Sequence, residues 1–231
     1  MKKPIELIIK VFLLKDIKTE ETSAQICKLI DKVLILDDNY KIFHNENKFK
    51  NYCFDMLYPI EKDKVYKKDC IYTFKIRTID ESLCSYIISM LKNEYTDEMK
   101  VLTICKRILP KKHIESIHSI TPIVVKFDSG YWKEHSNIDR LEKRIRENLI
   151  KKYNEFYNTK IDEDFELFTV ITINNKKPIA TKYKDITLLG DKINFKVADN
   201  KQAQDIINFA IGTGIGEMNS RGLGFINYRW L

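Results

Sequence analysis

The sequence predicts an α+β protein built from two tandem ferredoxin-like (RRM-like) βαββαβ domains. Three observations carry this. The chain of 231 residues has room for two domains of about 110 residues each. The order strand, helix, strand, strand, helix, strand can be read once in the first half and again in the second. Apolar residues change between a helical and a strand period at each step of that order.

In the first half, Ile5 to Leu14 is rich in β-formers and gives the first strand. Glu21 to Leu36 places Ile26, Leu29, Ile30 and Val33 at helical spacing. Tyr52 to Tyr58 and Cys70 to Arg77 give two strands, joined by a charged turn with Lys62, Lys64, Lys67 and Lys68. Asp80 is a good N-cap for a helix with Leu83, Ile87, Met90 and Leu91 on one face. Val101 to Leu109 gives the fourth strand and stops at Pro110. The expected first domain is 1–112, with the linker within Pro110 to Ser119.

The expected second domain, 118–231, repeats the order. Ile120 to Phe127 reads as a strand made irregular by Pro122. Ser136 and Asp139 resemble a capping box before a long helix with Ile138, Leu141, Ile145, Leu149 and Tyr153 on one side. Its basic residues, Lys152 among them, read as a solvated face. Phe165 to Ile173 and Ile186 to Val197 give strands, the latter as a hairpin around Leu189-Gly190-Asp191. Asn200 opens a helix with Ala203, Ile206, Ile207 and Ala210 in register, ending at Gly212, and Phe225 to Trp230 is the last strand.

Composition narrows the class. A net charge of +7 is compatible with a polyanionic partner. The five cysteines are scattered, odd in number and never in a C-x-x-C pair, which argues against a disulfide framework or a thiolate zinc site. Each is expected to be buried in a reducing compartment. The run Ile5-Glu-Leu-Ile-Ile-Lys10-Val-Phe-Leu-Leu14 is short and carries two charges, so it is neither a signal peptide nor a membrane span. A cytoplasmic globular protein is expected.

Two segments carry candidate chemistry. Five of the seven glycines fall between Gly212 and Gly224, after a helical pattern and before the last strand. The segment lacks the lysine and spacing of a P-loop, and it follows a helix where a dinucleotide fingerprint would follow a strand. It reads as a backbone surface shaped for a ligand, with N–H groups for an anion. The second segment, Asn39 to Tyr52, surrounds His44 with lysines and aromatics and reads as a loop suited to RNA phosphates and bases. RNA carries its own nucleophile, the 2′-OH, so a protein need supply only proton transfer and charge stabilisation. Imidazole can exchange a proton near neutrality, and lysine can offset transition-state charge. His113, His118 and His135 read as structural or exposed, and Trp132 as core.

The Gly214-Ile-Gly216 and Gly222-Leu-Gly224-Phe225 pattern, with Thr121-Pro122-Ile-Val-Val opening the second domain, resembles the CRISPR-associated repeat-RNA endoribonucleases of the RAMP superfamily. The resemblance spans the whole chain. It implies a metal-independent, cofactor-free endoribonuclease that cuts precursor CRISPR RNA within the repeat by 2′-OH attack. The ends would be a 5′-hydroxyl and a 2′,3′-cyclic phosphate or 3′-phosphate. His44 would be the general acid or base and Lys50 its assistant, with Tyr52 next on the same face and Lys48 a competing choice. Gly214, Gly216, Gly222 and Gly224 would position RNA, with Arg221 on a phosphate. One departure is that Leu29 stands where some members have a helical tyrosine; Tyr40 or Tyr52 could substitute. Effector-complex subunits and a second copy of the chain are further partners implied by the resemblance. Two alternatives stand beside it: a non-catalytic RAMP-type subunit of an effector complex, and a single-stranded-RNA binder using Tyr72 and Phe74 on an exposed sheet.

Overall fold

The computed structural model describes residues 2–183 and 186–231. The first half comprises β1 (Ile5–Leu13), β2 (Ile17–Lys18), α1 (Thr22–Leu34), α2 (Asp38–Asn45), β3 (Tyr52–Phe54), β4 (Val65–Tyr66), β5 (Ile71–Thr78), α3 (Glu81–Leu91) and β6 (Met99–Ile108). Its main sheet is antiparallel in the order β3-β5-β1-β6. The period of two in β1 puts Ile5, Leu7, Ile9, Val11 and Leu13 on the buried face. There they share a core with Ile26, Leu29, Ile30 and Val33 of α1 and Leu83, Ile87 and Leu91 of α3. Asp80 caps α3 as expected, accepting from the amides of Ser82 and Leu83. Tyr72 and Phe74 of β5 lie in this core, so they are not an exposed stacking platform.

The second half comprises β7 (Ile114–Ser119), α4 (Trp132–His135), α5 (Ile138–Tyr157), β8 (Phe168–Ile173), β9 (Ile179–Tyr183), β10 (Ile186–Gly190), β11 (Ile193–Val197), α6 (Lys201–Thr213) and β12 (Ile226–Trp230). Its sheet, β12-β7-β11-β8, repeats the order of the first with the fourth strand beside the first. The fold is α+β with two tandem ferredoxin-like units, as the sequence predicts.

Several local expectations are corrected. Strand β7 occupies residues expected in the linker, and 120–127 contributes only single bridges, Ile123 to Asp191, Val124 to Glu217 and Phe127 to Gly130. Pro122 lacks the N–H a ladder needs. The span Ile186 to Val197 is not a hairpin: β10 pairs with β9, while β11 lies between β7 and β8. The cap of α5 is Asn137, which accepts from the Arg140 amide, and not Ser136. Helix α6 runs past Gly212 to Thr213. At Gly212 a Cβ would lie 2.6 Å from Ile79 Cγ2 and 3.1 Å from the Thr78 carbonyl carbon, so the glycine lets α6 press on the first unit. Cys27, Cys53 and Cys84 are buried as expected, but Cys70 and Cys105 are exposed. Among the described residues, no helix is long and apolar enough to cross a membrane.

The two units are locked by a buried charge network. The Arg77 guanidinium donates to Glu6 Oε2 (2.7 Å), to the Ile226 carbonyl (2.6 Å) and to Asn227 Oδ1 (3.0 Å). It also lies 4.3 Å from the Phe225 ring centroid. Arg107 donates to the other Glu6 oxygen at 2.5 Å. Glu6 and Arg77 are 0 % and 2 % exposed, a setting in which loss of one partner strands the other charge.

Nearby, Asp55 Oδ1 accepts from the Lys75 amide at 2.5 Å. Burial pushes its carboxyl up to about 7, and the amide and the Lys75 and Arg77 charges offset this only in part. A raised carboxyl pKa means the folded state holds its proton more tightly than the unfolded chain. This group therefore lowers stability as pH rises from about 4 to about 7. Asp55→Asn keeps an acceptor for Lys75 and removes that slope. It is expected to raise Tm at pH 8 by the equivalent of about 1–2 kcal/mol and to change little at pH 4, checked by thermal melts at both.

Candidate RNA-cleavage site

Residues 38–45, expected as a loop, form helix α2. Asp37 caps it by accepting from the amides of Asn39 (2.9 Å) and Tyr40 (3.2 Å). Tyr40 stacks on Tyr86 with centroids 4.0 Å apart, and the Tyr86 hydroxyl donates to the Val33 carbonyl at 2.7 Å. The helix is thus fixed against α1 and α3, and His44 projects from its last turn. Lys50 closes the helix end: its ammonium donates to the carbonyls of Phe43 and Glu46. Burial lowers the Lys50 pKa. Lys48 is exposed and pairs with Glu46 at 3.2 Å.

His44 Nδ1 stands 3.5 Å from Asp31 Oδ1 on α1, and Asp31 Oδ2 accepts from Arg221 Nη1 at 2.6 Å. Asp31 Oδ1 is enclosed and has no hydrogen-bond partner, so the imidazole is the donor placed to meet it. The row Arg221–Asp31–His44 joins the glycine segment to α1 and α2. Asp31 was not singled out in the sequence, where it is one acid among the polar positions of an amphipathic helix. Tyr52 lies deeper than His44 and Lys50. It is 2 % exposed, and burial holds its phenol well above the usual range. Its hydroxyl reaches Ser220, so it supports the loop from beneath, at the border of the larger depression described below.

The glycine segment is braced from within the protein. Several of its amides pair inside the protein: Ile215 donates to the Gly224 carbonyl (2.9 Å), Glu217 to Val124 (2.8 Å) and Gly224 to Pro122 (2.8 Å). At Gly222, a Cβ would meet Phe54 at 2.7 Å, so the loop sits directly on β3. Below it lies Lys152 of α5, 3 % exposed where a solvated residue was expected. Its ammonium donates to the Gly216 carbonyl (2.6 Å) and to Asn219 Oδ1 (2.5 Å). Burial brings its pKa down to about 7. Asn219 in turn donates to the Ile215 and Leu223 carbonyls, both at 3.0 Å. These contacts fix the short 3-10 turn Asn219–Arg221 and so set where Arg221 points.

Two depressions meet at Arg221. The larger, about 810 Å³, is strongly charged and is lined by Lys48, Lys50, Lys126, Arg144, Lys151 and Arg221 with interspersed acids. The smaller, about 370 Å³, is lined by His44, Asp31, Cys27, Tyr183, Leu188 and Arg221 among others. Burial pushes the Cys27 thiol up to about 11, so it is a neutral wall. The other histidines lie elsewhere. His113 pairs with Asp199 at 3.2 Å and His135 with Glu134 at 3.8 Å, and His118 lies on the open face of the second sheet. Trp132 is a core residue whose indole donates to Asp191 at 2.7 Å. Among the described residues, no group of three or more His, Cys, Asp or Glu side chains is gathered for a metal.

Residues 106–228, more than half of the chain, match the family model for the C-terminal part of CRISPR associated protein Cas6. The chain belongs to the Cas6 family. It is 29 % identical over 208 residues to CRISPR-associated endoribonuclease Cas6 1 of Methanocaldococcus jannaschii, covering 80 % of this chain and 76 % of that protein. It is 24 % identical over 216 residues to Cas6 2 of the same organism, covering 84 % and 87 %. A solved structure of a CRISPR associated protein Cas6 superposes with a TM-score of 0.74 at 22 % identity, covering 98 % of this chain and all of that one. Another, described as a RAMP protein binding different RNA substrates, gives 0.75 at 18 % identity and covers 97 % and 99 %. At these identities the Cas6 and RAMP structures speak for the tandem fold alone.

Proposed function

We propose that this chain is an endoribonuclease that cuts precursor CRISPR RNA within its repeat. The curated relatives are named as Cas6 endoribonucleases, and the row Arg221–Asp31–His44 beside a basic cleft carries the reading to particular residues. In this reading the first domain, 1–112, brings His44 and Asp31, and the second, 118–231, brings the loop with Arg221.

The reaction is internal to the RNA. The 2′-oxygen forms a bond to the adjacent phosphorus while the bond from phosphorus to the 5′-oxygen breaks. One proton leaves the 2′-OH and one reaches the departing 5′-oxygen, so a 2′,3′-cyclic phosphate and a 5′-hydroxyl result with no further reactant. With Nδ1 turned to Asp31, Nε2 of His44 is the nitrogen that exchanges a proton with the RNA. Arg221, steadied by Asp31, offers a planar cation to the phosphate. Lys50 holds the end of α2 that carries His44 and adds positive charge at the cleft wall, and Lys48 meets the RNA backbone at its rim. Gly214, Gly216, Gly222 and Gly224 act through the backbone path that presents Arg221.

The test is cleavage of the host's repeat RNA in EDTA, beside the same RNA with a single 2′-deoxy at the cut position. The expected result is one cut in the all-ribose RNA, none in the deoxy RNA, and equal binding of both. Cutting of the deoxy RNA overturns the mechanism, and no cutting of either overturns the activity.

A further inference from the structure

We propose that the smaller depression beside His44 is a nucleobase subsite, which takes the base of a nucleotide adjoining the scissile phosphate turned out of the strand. The proposal rests on the cleavage reading above and adds a specificity element to it. Arg221 borders both depressions, so a phosphate held between Arg221 and His44 sits at their junction. The charged cleft suits the sugar-phosphate backbone. The depression on the other side of the same arginine is differently made.

Its walls are mixed. Ala24, Cys27, Leu188 and Leu223 give apolar surface, Tyr183 an aromatic ring, Ser23 and Thr181 hydroxyls, and Lys28, Asp31 and Lys182 charged groups beside His44 and Arg221. The Arg221 guanidinium lies 6.0 Å from the Tyr183 centroid, so a ring and a planar cation flank the mouth. Apolar lining with a few placed polar groups is the pattern of small-ligand pockets, and about 370 Å³ falls at the small end of their range of roughly 300–1,000 Å³. A base offers a flat π-face to such walls and polar edges to the hydroxyls.

The wall opposite α1 is a two-stranded ribbon. Among the described residues, strands β9 and β10 pair only with each other, and they are inserted between β8 and β11, which the ferredoxin-like order would join directly. The ribbon rests on the site through a cluster of its own, Leu188 with Val124 and Leu223, against which Tyr183 and Met218 pack. Leu223 and Met218 belong to the glycine segment, so the ribbon and the arginine are fixed to one another.

The test reads affinity for uncleavable RNA, which separates it from cutting. A single abasic ribose is moved through the repeat in 2′-deoxy-blocked RNA, and Kd is measured for the wild type and Tyr183→Ala, with Tyr183→Phe as a folded variant that keeps the ring. The expected result is one position next to the cut site where base removal weakens binding by about tenfold or more. Tyr183→Ala should weaken intact RNA by a similar factor and cost nothing further at that abasic position, while Tyr183→Phe stays near wild type. Independent losses at every position, or a coupled position away from the cut site, overturn the subsite. Failure of wild type to cut ribose RNA would overturn the cleavage reading while leaving the coupling result to stand or fall by itself.

Discussion

Replacing His44 with alanine is expected to leave RNA bound and to slow single-turnover cleavage by roughly 10²–10⁴-fold. The argument rests on what the imidazole touches. Its Nδ1 faces Asp31 at 3.5 Å, and its side chain, 18 % exposed, lines the smaller depression. Truncation removes a proton carrier and widens a depression already present beside it. The cations of the larger cleft remain, so Kd in low salt should move little. Asp31→Asn is the companion variant. It keeps the shape and an oxygen for Arg221 but loses the charge facing the histidine, and its rate should fall between wild type and His44→Ala. A His44→Ala protein that cuts at the wild-type rate would remove the imidazole from the chemistry.

Gly224→Ala is expected to destabilise the protein by more than about 4 kcal/mol, which for a chain of this size lowers Tm by about 10 °C or more. The backbone at Gly224 has φ +66°, and a Cβ there would stand 1.9 Å from the Ile215 carbonyl oxygen and 2.7 Å from Asn219 Nδ2. Neither group can yield cheaply. Ile215 donates its amide to the Gly224 carbonyl, and Asn219 is the centre of the Lys152 clamp. The same change at Gly130 serves as the control: φ is +103° but nothing lies within 4 Å of the added methyl, so backbone strain alone remains, at about 1–3 kcal/mol. Equal melting temperatures for the two variants would show that the loop repacks and is not the brace described above.

What could be read from the sequence was local. The alternation in β1 and the caps Asp80 and Asn200 depend on neighbours a few residues away, and each stands where periodicity and hydrogen-bonding chemistry put it. The glycine segment is legible as unusual, but its packing is not. Its glycines make room for Ile215, Val124 and Phe54, and such close approaches leave no trace in spacing. Lys152 shares a helix with solvated lysines, and only a loop 64 residues further on makes it an interior clamp. Asp31 gains its place from Arg221, 190 residues away. The short α2 was missed because a sequence so polar, with lysines close behind, resembles a loop until Tyr86 and Lys50 hold it in place.

The Glu6–Arg77 plug has a consequence for the chemistry, although it touches no candidate RNA contact. Arg221 and His44 come from opposite sides of the seam that Arg77 closes onto Ile226 and Asn227. A molecule in which the seam has opened keeps every residue of the site and yet has no site. The apparent dissociation constant is then the intrinsic one divided by the fraction of molecules with the seam closed. Natural variation at Glu6, Arg77 or Asn227 would thus tune how much of the protein is competent at any moment, leaving the recognised sequence and the bond that is cut unchanged.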